Sequence, residues 1–470
     1  MNSAQPPLIP TPAKRRLSLY LKIAGICGLI VLLHIPLAMT DGVLRERRGY
    51  QQQAKEEITS TWGQSQLITG PVLVVPYTVT RKWTREYKDA EGKMKTVEEK
   101  SVSSGAAYLL PTKLDVQANV VPEVRYRGIY EAVVYSAEVR LSGVIATDLK
   151  SIPVENAVYE WDKAWLRLGV TDARRLRTAP VLSLAGTTYA VEPEGTENYG
   201  LGLAARVNAG GPSRELPFEV KVDLQGSDRL EFTPVGKSTE LRMQSPWANP
   251  SFTGAQLPVS RTVEAGGFNA TWRMAHYGRG FPEMWNESPG NTAAVFKRML
   301  ESGFGVRFAQ PVDGYSMADR AQKYGVLFFV LVFAVFFLFE ITAALRIHPL
   351  QYAMVGAALC LFFLGFLALT EFWPTGWAYA AAAGACTVLV SVYAWSFLRT
   401  GRQTLVIGGG LGATYGYLYF VLKSQDYALV AGTAALFGAL ALVMFCTRRI
   451  NWYSLEMNPN PAAVSTAGIR

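Results

Sequence analysis

The stretch GVLFFVLVFAVFFLFEITAALRIHPLQY, residues 325–352, decides the fold. Its first fifteen residues carry no charge, and six of them are phenylalanine. A helix crosses the hydrocarbon core of a bilayer with about 20 apolar residues, so residues 325–345 read as a membrane span. His348 and Pro349 interrupt the run, and a second apolar stretch, 350–370, follows. Further on, 377–398 comes after the turn at Trp373 and Pro374, and 403–422 and 427–446 complete a group of five. Toward the N-terminus lies one more run, 19–39, preceded by Lys14, Arg15 and Arg16. A secretory signal has an apolar core of about 7–15 residues and a small-residue cleavage site. This run is longer and ends in Asp41, Gly42 and the cluster Arg45, Glu46, Arg47, Arg48, so it reads as an uncleaved anchor. The total is six spans.

Composition agrees. Half of the 470 residues are apolar and 18% are charged, against about a quarter charged in soluble domains. Residues 41–323 hold 35 Lys and Arg against 33 Asp and Glu, so +7 of the net +9 lies beside the apolar runs. Basic residues there set membrane topology. A nucleic-acid partner needs a basic stripe or motif on a soluble domain, and none is present. With a cytoplasmic N-terminus, Arg346, Arg399, Arg402, Arg448 and Arg449 fall on the inside, while Glu371, Lys423 and Asp426 fall in short outer loops. The Arg45 to Arg48 cluster opposes this bias, but it opens a long segment, and long segments translocate largely regardless of charge. Both termini are therefore expected in the cytoplasm and residues 40–323 in the periplasm. All four cysteines (Cys27, Cys360, Cys386, Cys446) lie in apolar runs, which leaves the middle segment without a disulfide, a thiol nucleophile or a cysteine metal site.

Residues 44–61 are rich in Gln, Glu and Arg and hold no proline, so the first span is expected to continue as a helical stalk ending at Trp62 and Gly63. Strand signals then dominate. Residues 71–77, 97–110, 128–145, 181–191, 216–224, 230–234 and 268–274 are β-like. In 128–145, Val133, Tyr135, Ala137, Val139 and Leu141 share one face, the period-two pattern of a half-buried antiparallel strand. Short helices are expected at 162–168 and 291–299. The fold class is a membrane protein with six transmembrane α-helices and a large, mainly antiparallel β extracytoplasmic domain, built of one sheet or two stacked ones. The expected organisation is a tail at 1–18, a first helix at 19–39, a stalk at 40–62, a β-rich domain at 63–323, a five-helix bundle at 324–447 and a tail at 448–470.

Chemistry is sparse. Of three histidines only His276 falls in the middle segment, and no Gly-x-Ser-x-Gly elbow accompanies it. No EF-hand spacing is present, and the acid pairs Glu98 with Glu99 and Asp313 with Asp319 fit solvated loops. Gly408-Gly409-Gly410-Leu411-Gly412 lacks the lysine and hydroxyl of a phosphate loop and lies in a span. Gly408, Gly412 and Gly416 recur every fourth residue, a small-residue face that lets helices pack closely. No cofactor is expected. Glu340 is the residue of most interest, because an ionisable group inside a span is costly and often functional. Pairing with Arg346 or reaching the cytoplasmic interface would resolve the cost; proton or substrate movement and partner binding are the alternatives.

The block around it carries a resemblance. Asp319-Arg320-Ala321-Gln322-Lys323-Tyr324 leads into the span, which ends Phe339-Glu340-Ile341-Thr342-Ala343. Leu345-Arg346-Ile347-His348-Pro349-Leu350-Gln351-Tyr352 follows. Together with Gly70-Pro71-Val72-Leu73, Arg127-Gly128-Ile129-Tyr130, Ser245-Pro246-Trp247 and Thr447-Arg448-Arg449-Ile450-Asn451-Trp452-Tyr453, this resembles the CreD family of cell envelope integrity inner membrane proteins. The resemblance covers roughly 19–453 and singles out Glu340, Arg346, His348, Pro349, Gln351 and Tyr352 as family-signature residues. It implies a Gram-negative inner membrane protein tied to envelope maintenance and stress, β-lactam response and colicin tolerance, and it brings no catalytic residues. The first expectation is a non-enzymatic envelope protein whose outer domain binds a protein, lipid or cell-wall partner. The second is a lipid or small-molecule transport component using Glu340 and the glycine-rich helix. The third is an enzyme acting on envelope substrates through His276. Membrane lipids are expected partners in each.

Overall fold

A computed structural model describes residues 12–88, 94–194, 202–288, 290–309, 314–342, 347–398, 400–424 and 428–448. The chain divides into two compact units, Gln51–Pro311 and, together, Met1–Tyr50 with Val312–Arg470. Helix α1 (Pro12–Trp62) contributes to both. Its apolar run passes without interruption into the Gln- and Glu-rich segment. Pro36, which lacks a donor for the preceding turn, is its single interior proline, and Thr40 Oγ1 donates to the Pro36 carbonyl at 3.0 Å. The helix stops at Gly63, whose φ of +151° favours glycine and where a Cβ would stand 2.9 Å from the Gln225 carbonyl oxygen.

Within Gln51–Pro311, two sheets enclose one apolar core. The ten-stranded sheet follows the path Pro250–Gly254, Phe304–Phe308, Arg229–Phe232, Gln66–Lys88, Ala164–Val170, Leu203–Val207, Glu192–Pro193. Off that path, Met94–Leu109 and Ala157–Tyr159 pair with Gln66–Lys88, and Met284–Asn286 pairs with Met94–Leu109. The eight-stranded sheet runs Ser260–Glu264, Gly267–Ala275, Ser238–Ser245, Lys113–Arg127, Tyr130–Ala146, Glu215–Ser227, Val181–Leu184, Thr187–Ala190. The pairings are antiparallel except Gln66–Lys88 with Arg229–Phe232 and Lys113–Arg127 with Ser238–Ser245.

Alternation explains which face goes inward. Leu114, Val116, Ala118 and Val120 are buried while Gln117 and Asn119 are exposed; Ala137, Val139 and Leu141 are buried while Glu138 and Arg140 are exposed. Tyr135 is fully buried and spends its hydroxyl on the Arg229 carbonyl at 2.7 Å; burial pushes its pKa well above the ordinary tyrosine value. Helix α2 (Asn291–Glu301) covers the core with Val295, Phe296 and Met299. Phe296 meets Tyr108 and Trp285 edge-on, at 5.8 and 5.6 Å between centroids. One expectation fails: residues 162–168 are not a helix. Beyond a single turn at Trp161–Lys163 they belong to strand Ala164–Val170. Its Ala164, Leu166 and Leu168 enter the core, so period-two burial overrides the helix propensity of the Ala, Leu, Lys and Arg there.

The other unit adds α3 (Gly314–Lys323), α4 (Gly325–Thr342), α5 (Pro349–Leu369), α6 (Thr375–Leu398), α7 (Gly401–Lys423) and α8 (Ala428–Thr447) to the first part of α1. Among the described residues α1, α5, α6 and α7 are each long and apolar enough to cross a membrane, and α3 with α4 qualifies as one span bent by 54°. Aromatic rings fill the interior. Phe362 meets Phe328, Tyr379 and Tyr415, and the Tyr379 hydroxyl donates to the Tyr415 carbonyl at 2.7 Å. A Cβ on Gly356 of α5 would overlap the end of the Leu33 side chain of α1, which would have to shift.

The expected glycine face on α7 meets its neighbours only in part among the described residues. Helix α7 buries Ile407, Leu411, Tyr415 and Leu418. Gly408 flanks that face, with a Cβ position 2.6 Å from Ser391 Oγ of α6, but Gly412 and Gly416 are exposed and meet nothing within 4 Å among the described residues. Among the described residues the contact is made by these large side chains and by Gly408, not by Gly412 or Gly416.

Candidate functional site

Glu340 lies two residues before the described end of α4, and His348 begins α5. The short connection brings the acid back over the first turn of α5. Three donors meet its carboxylate. Lys22 of α1 forms an ion pair with Oε1, the Ile347 N–H donates to Oε1 at 3.2 Å, and the Tyr352 hydroxyl donates to Oε2 at 2.9 Å. Lys22 also donates to the Ile347 carbonyl at 2.8 Å, so acid and base together hold the N–H and the C=O of one residue. The Tyr352 ring lies 5.9 Å from Lys22 Nζ and is packed by Phe333 and Phe336. The Glu340 side chain is 10% exposed and that of Lys22 22%.

The signature residues have local explanations. His348 is the N-cap of α5: its Nδ1 accepts from the Leu350 N–H at 3.2 Å, and Gln351 Oε1 accepts from the His348 N–H at 2.8 Å. That is a capping box, with Pro349 in the first turn where its missing donor costs nothing. Tyr352 then points one turn on into the acid. Arg346, the partner expected for Glu340, lies outside the described residues; the described partner is Lys22. Sequence reasoning missed Lys22, and its signal was a lone base a few residues into an apolar run at the same end of the bundle as the lone acid.

The far end of the membrane part of α1 is tied as well. Arg47 pairs with Glu371 at 3.4 Å, and Arg48 reaches Asp319 at 3.5 Å and the Tyr315 carbonyl at 3.2 Å. Lys22 and Arg47 are about 38 Å apart along the helix at 1.5 Å per residue, close to bilayer thickness. The arginine cluster that opposed the charge bias is thus partly neutralised by acids of the same unit.

A second site lies on the outer face of the eight-stranded sheet, an open cavity of about 910 Å³. Register places Asn269, Gln244, Asn119, Glu138 and Asp223 side by side across five strands, and Thr271, Arg242, Gln117, Arg140 and Lys221 in the next row. The amides of Asn119, Gln244 and Asn269 are uncommitted among the described residues. Arg140 hydrogen-bonds Glu219 at 2.8 Å and thereby holds its carboxyl below the usual range. His276 sits elsewhere, in a single turn, 3.5 Å from Glu283 and tilted against the Tyr277 ring, with no hydroxyl or thiol partner among the described residues. Glu98 and Glu99 stand on an exposed hairpin; Asp319 is taken by Lys323 and Arg48, and Asp313 is outside the described residues. No group of three metal-ligating side chains occurs among the described residues.

A family model described as Inner membrane protein CreD matches residues 18–453. The chain belongs to the CreD family. The inner membrane protein CreD of Escherichia coli strain K12 is 30% identical over 444 residues, covering 93% of this chain and 95% of that one. With several helices long and apolar enough to cross a bilayer, this CreD family chain is a multi-pass inner membrane protein. Among solved structures, the M1 zinc metallopeptidase of Deinococcus radiodurans matches 42% of each chain at 11% identity with a TM-score of 0.21. A second structure of it gives 0.20 over 35% of this chain and 38% of that one. Similarity at that level carries no argument about this chain.

Proposed function

We propose that this chain is an envelope-integrity protein of the inner membrane whose β domain faces the periplasm and binds an envelope partner, with six spans as its anchor and both termini in the cytoplasm. The partner is a protein, a lipid or cell-wall material, and the role belongs to envelope stress, β-lactam response and colicin tolerance. The observation that carries this reading is the open polar cavity on the outer sheet face, with its row of uncommitted amides. Its volume is in the range of ligand sites, and its polar lining suits a polar partner. The bundle supports the anchoring half. Its one buried acid among the described residues already has three donors, as expected of a tie between helices rather than a group exchanging protons or substrate.

A second reading, a lipid or small-molecule transport component, draws on a groove of about 260 Å³ along α1, lined by Leu21, Gly25, Ile26 and Leu29, with Lys22 and Tyr352 at one end. Extraction of the full chain with its native membrane patch, followed by mass spectrometry, separates the two. Enrichment of a protein or cell-wall precursor, lost on changing Asn119 and Gln244 to Ala, supports the first. Selective lipid enrichment, lost with Glu340→Gln at normal abundance, supports the second. Contents identical to bulk membrane contradict both.

A further inference from the structure

The hairpin of Gln66–Lys88 and Met94–Leu109 extends well past the core. From Arg81 onward its first strand is exposed as far as Tyr87, with Trp83 at 46% and Tyr87 at 45%, and Val102 on the second strand is 70% exposed. The two strands pair with each other rung by rung, Arg81 with Ser101, Trp83 with Glu99, Arg85 with Val97. The other neighbours of the first strand stop at Val79, where Ala157 is paired. Beyond it, the outer edge of residues 80–87 has no strand partner among the described residues. A two-stranded ribbon is marginal on its own, and an open edge is a template for another strand.

The sequence along this edge, Thr80-Arg81-Lys82-Trp83-Thr84-Arg85-Glu86-Tyr87, is complementary to itself when reversed. An antiparallel pairing centred on Thr84 sets Thr84 against Thr84, Trp83 against Arg85, Lys82 against Glu86 and Arg81 against Tyr87. Directly opposed residues share a face. One face therefore gains cation–π pairs, Arg85 on Trp83 and Arg81 on Tyr87, each occurring twice. The other gains two Lys82–Glu86 ion pairs and a threonine pair. On the second strand the same operation about Glu98, the residue paired with Thr84, sets two glutamates against each other. The exposed aromatic rings, the free edge and the self-complementary charge order are separate observations with one consequence.

We propose that this ribbon is a dimerisation arm, pairing edge to edge with the ribbon of a second copy of this chain across a two-fold axis at Thr84. The contact is isologous and closes on itself. It is independent of what the β domain binds.

The test is disulfide trapping of the full-length chain in native membranes, with the unsubstituted chain, whose cysteines lie in apolar segments, as the blank. At the axis, opposed Cα atoms are about 4.5–5.5 Å apart, within reach of a disulfide. Thr84→Cys is expected to give a covalent dimer under mild oxidant. Thr80→Cys, whose two copies would stand about 27 Å apart at 3.4 Å per residue, is expected to give none. Adding Lys82→Glu to Thr84→Cys should lower dimer yield about tenfold by opposing like charges twice, and adding Glu86→Lys as well should restore it. Equal trapping at both positions, no trapping at Thr84→Cys, or a yield indifferent to Lys82→Glu would each overturn the proposal.

Discussion

Glu340 keeps its place inside a phenylalanine-rich helix because three donors reach it, all from outside α4: Lys22 on α1, Tyr352 on α5 and the Ile347 N–H just before α5. Breaking a buried pair from one side leaves an uncompensated charge and costs about 3–5 kcal/mol, whereas replacing both members by apolar residues of similar volume is often neutral. Lys22→Met should therefore lower the thermal stability of the full chain in membrane patches markedly, and Lys22→Met with Glu340→Met should recover most of the loss. Additive losses would mean that the two residues do separate jobs. Tyr352→Phe removes one donor and should cost about 1–3 kcal/mol, read from the same unfolding curves. The sequence pointed to Glu340 because charge inside an apolar run is conspicuous. It did not point to Lys22, since a lysine near the basic start of a span reads as a topology flank. The partner of a buried charge is a tertiary fact. The His348, Pro349 and Gln351 signature, legible as a motif, proves to be helix-capping chemistry.

Elements were legible where one periodicity ruled. The inward run Ala137, Val139, Leu141 could be read because the opposite face of its strand is polar, and the α1 stalk because nothing in 44–61 breaks a helix. Residues 162–168 were misread because Ala, Leu, Lys and Arg favour helices locally, while the deciding contact is strand pairing with residues distant in sequence. Spacing alone could not separate Gly408, which meets α6, from Gly412 and Gly416, since a four-residue repeat of glycine does not say which face the neighbour takes. Substitution should separate the positions. Gly356→Leu collides with Leu33 and should destabilise the bundle by about 1–3 kcal/mol through overpacking. Gly412→Leu, at an exposed position, should leave unfolding unchanged. A loss at Gly412→Leu equal to that at Gly356→Leu would restore the glycine face as a packing surface.

For the whole molecule, amphipathic strands and apolar helices separate the chain into a β unit and a helical unit, and that division was readable from composition along the sequence. The open sheet cavity and the free ribbon edge were not, because each depends on which strands neighbour which. The central claim is that the β domain faces the periplasm on a bundle that anchors it. Labelling of single cysteines in the full chain by a membrane-impermeant maleimide tests it most directly. Ser260→Cys, on an exposed strand of the β domain, should be modified in intact spheroplasts. Thr400→Cys, the exposed N-cap of α7, should be modified only after the membrane is opened. The reverse pattern, or protection of Ser260→Cys until lysis, would contradict the account.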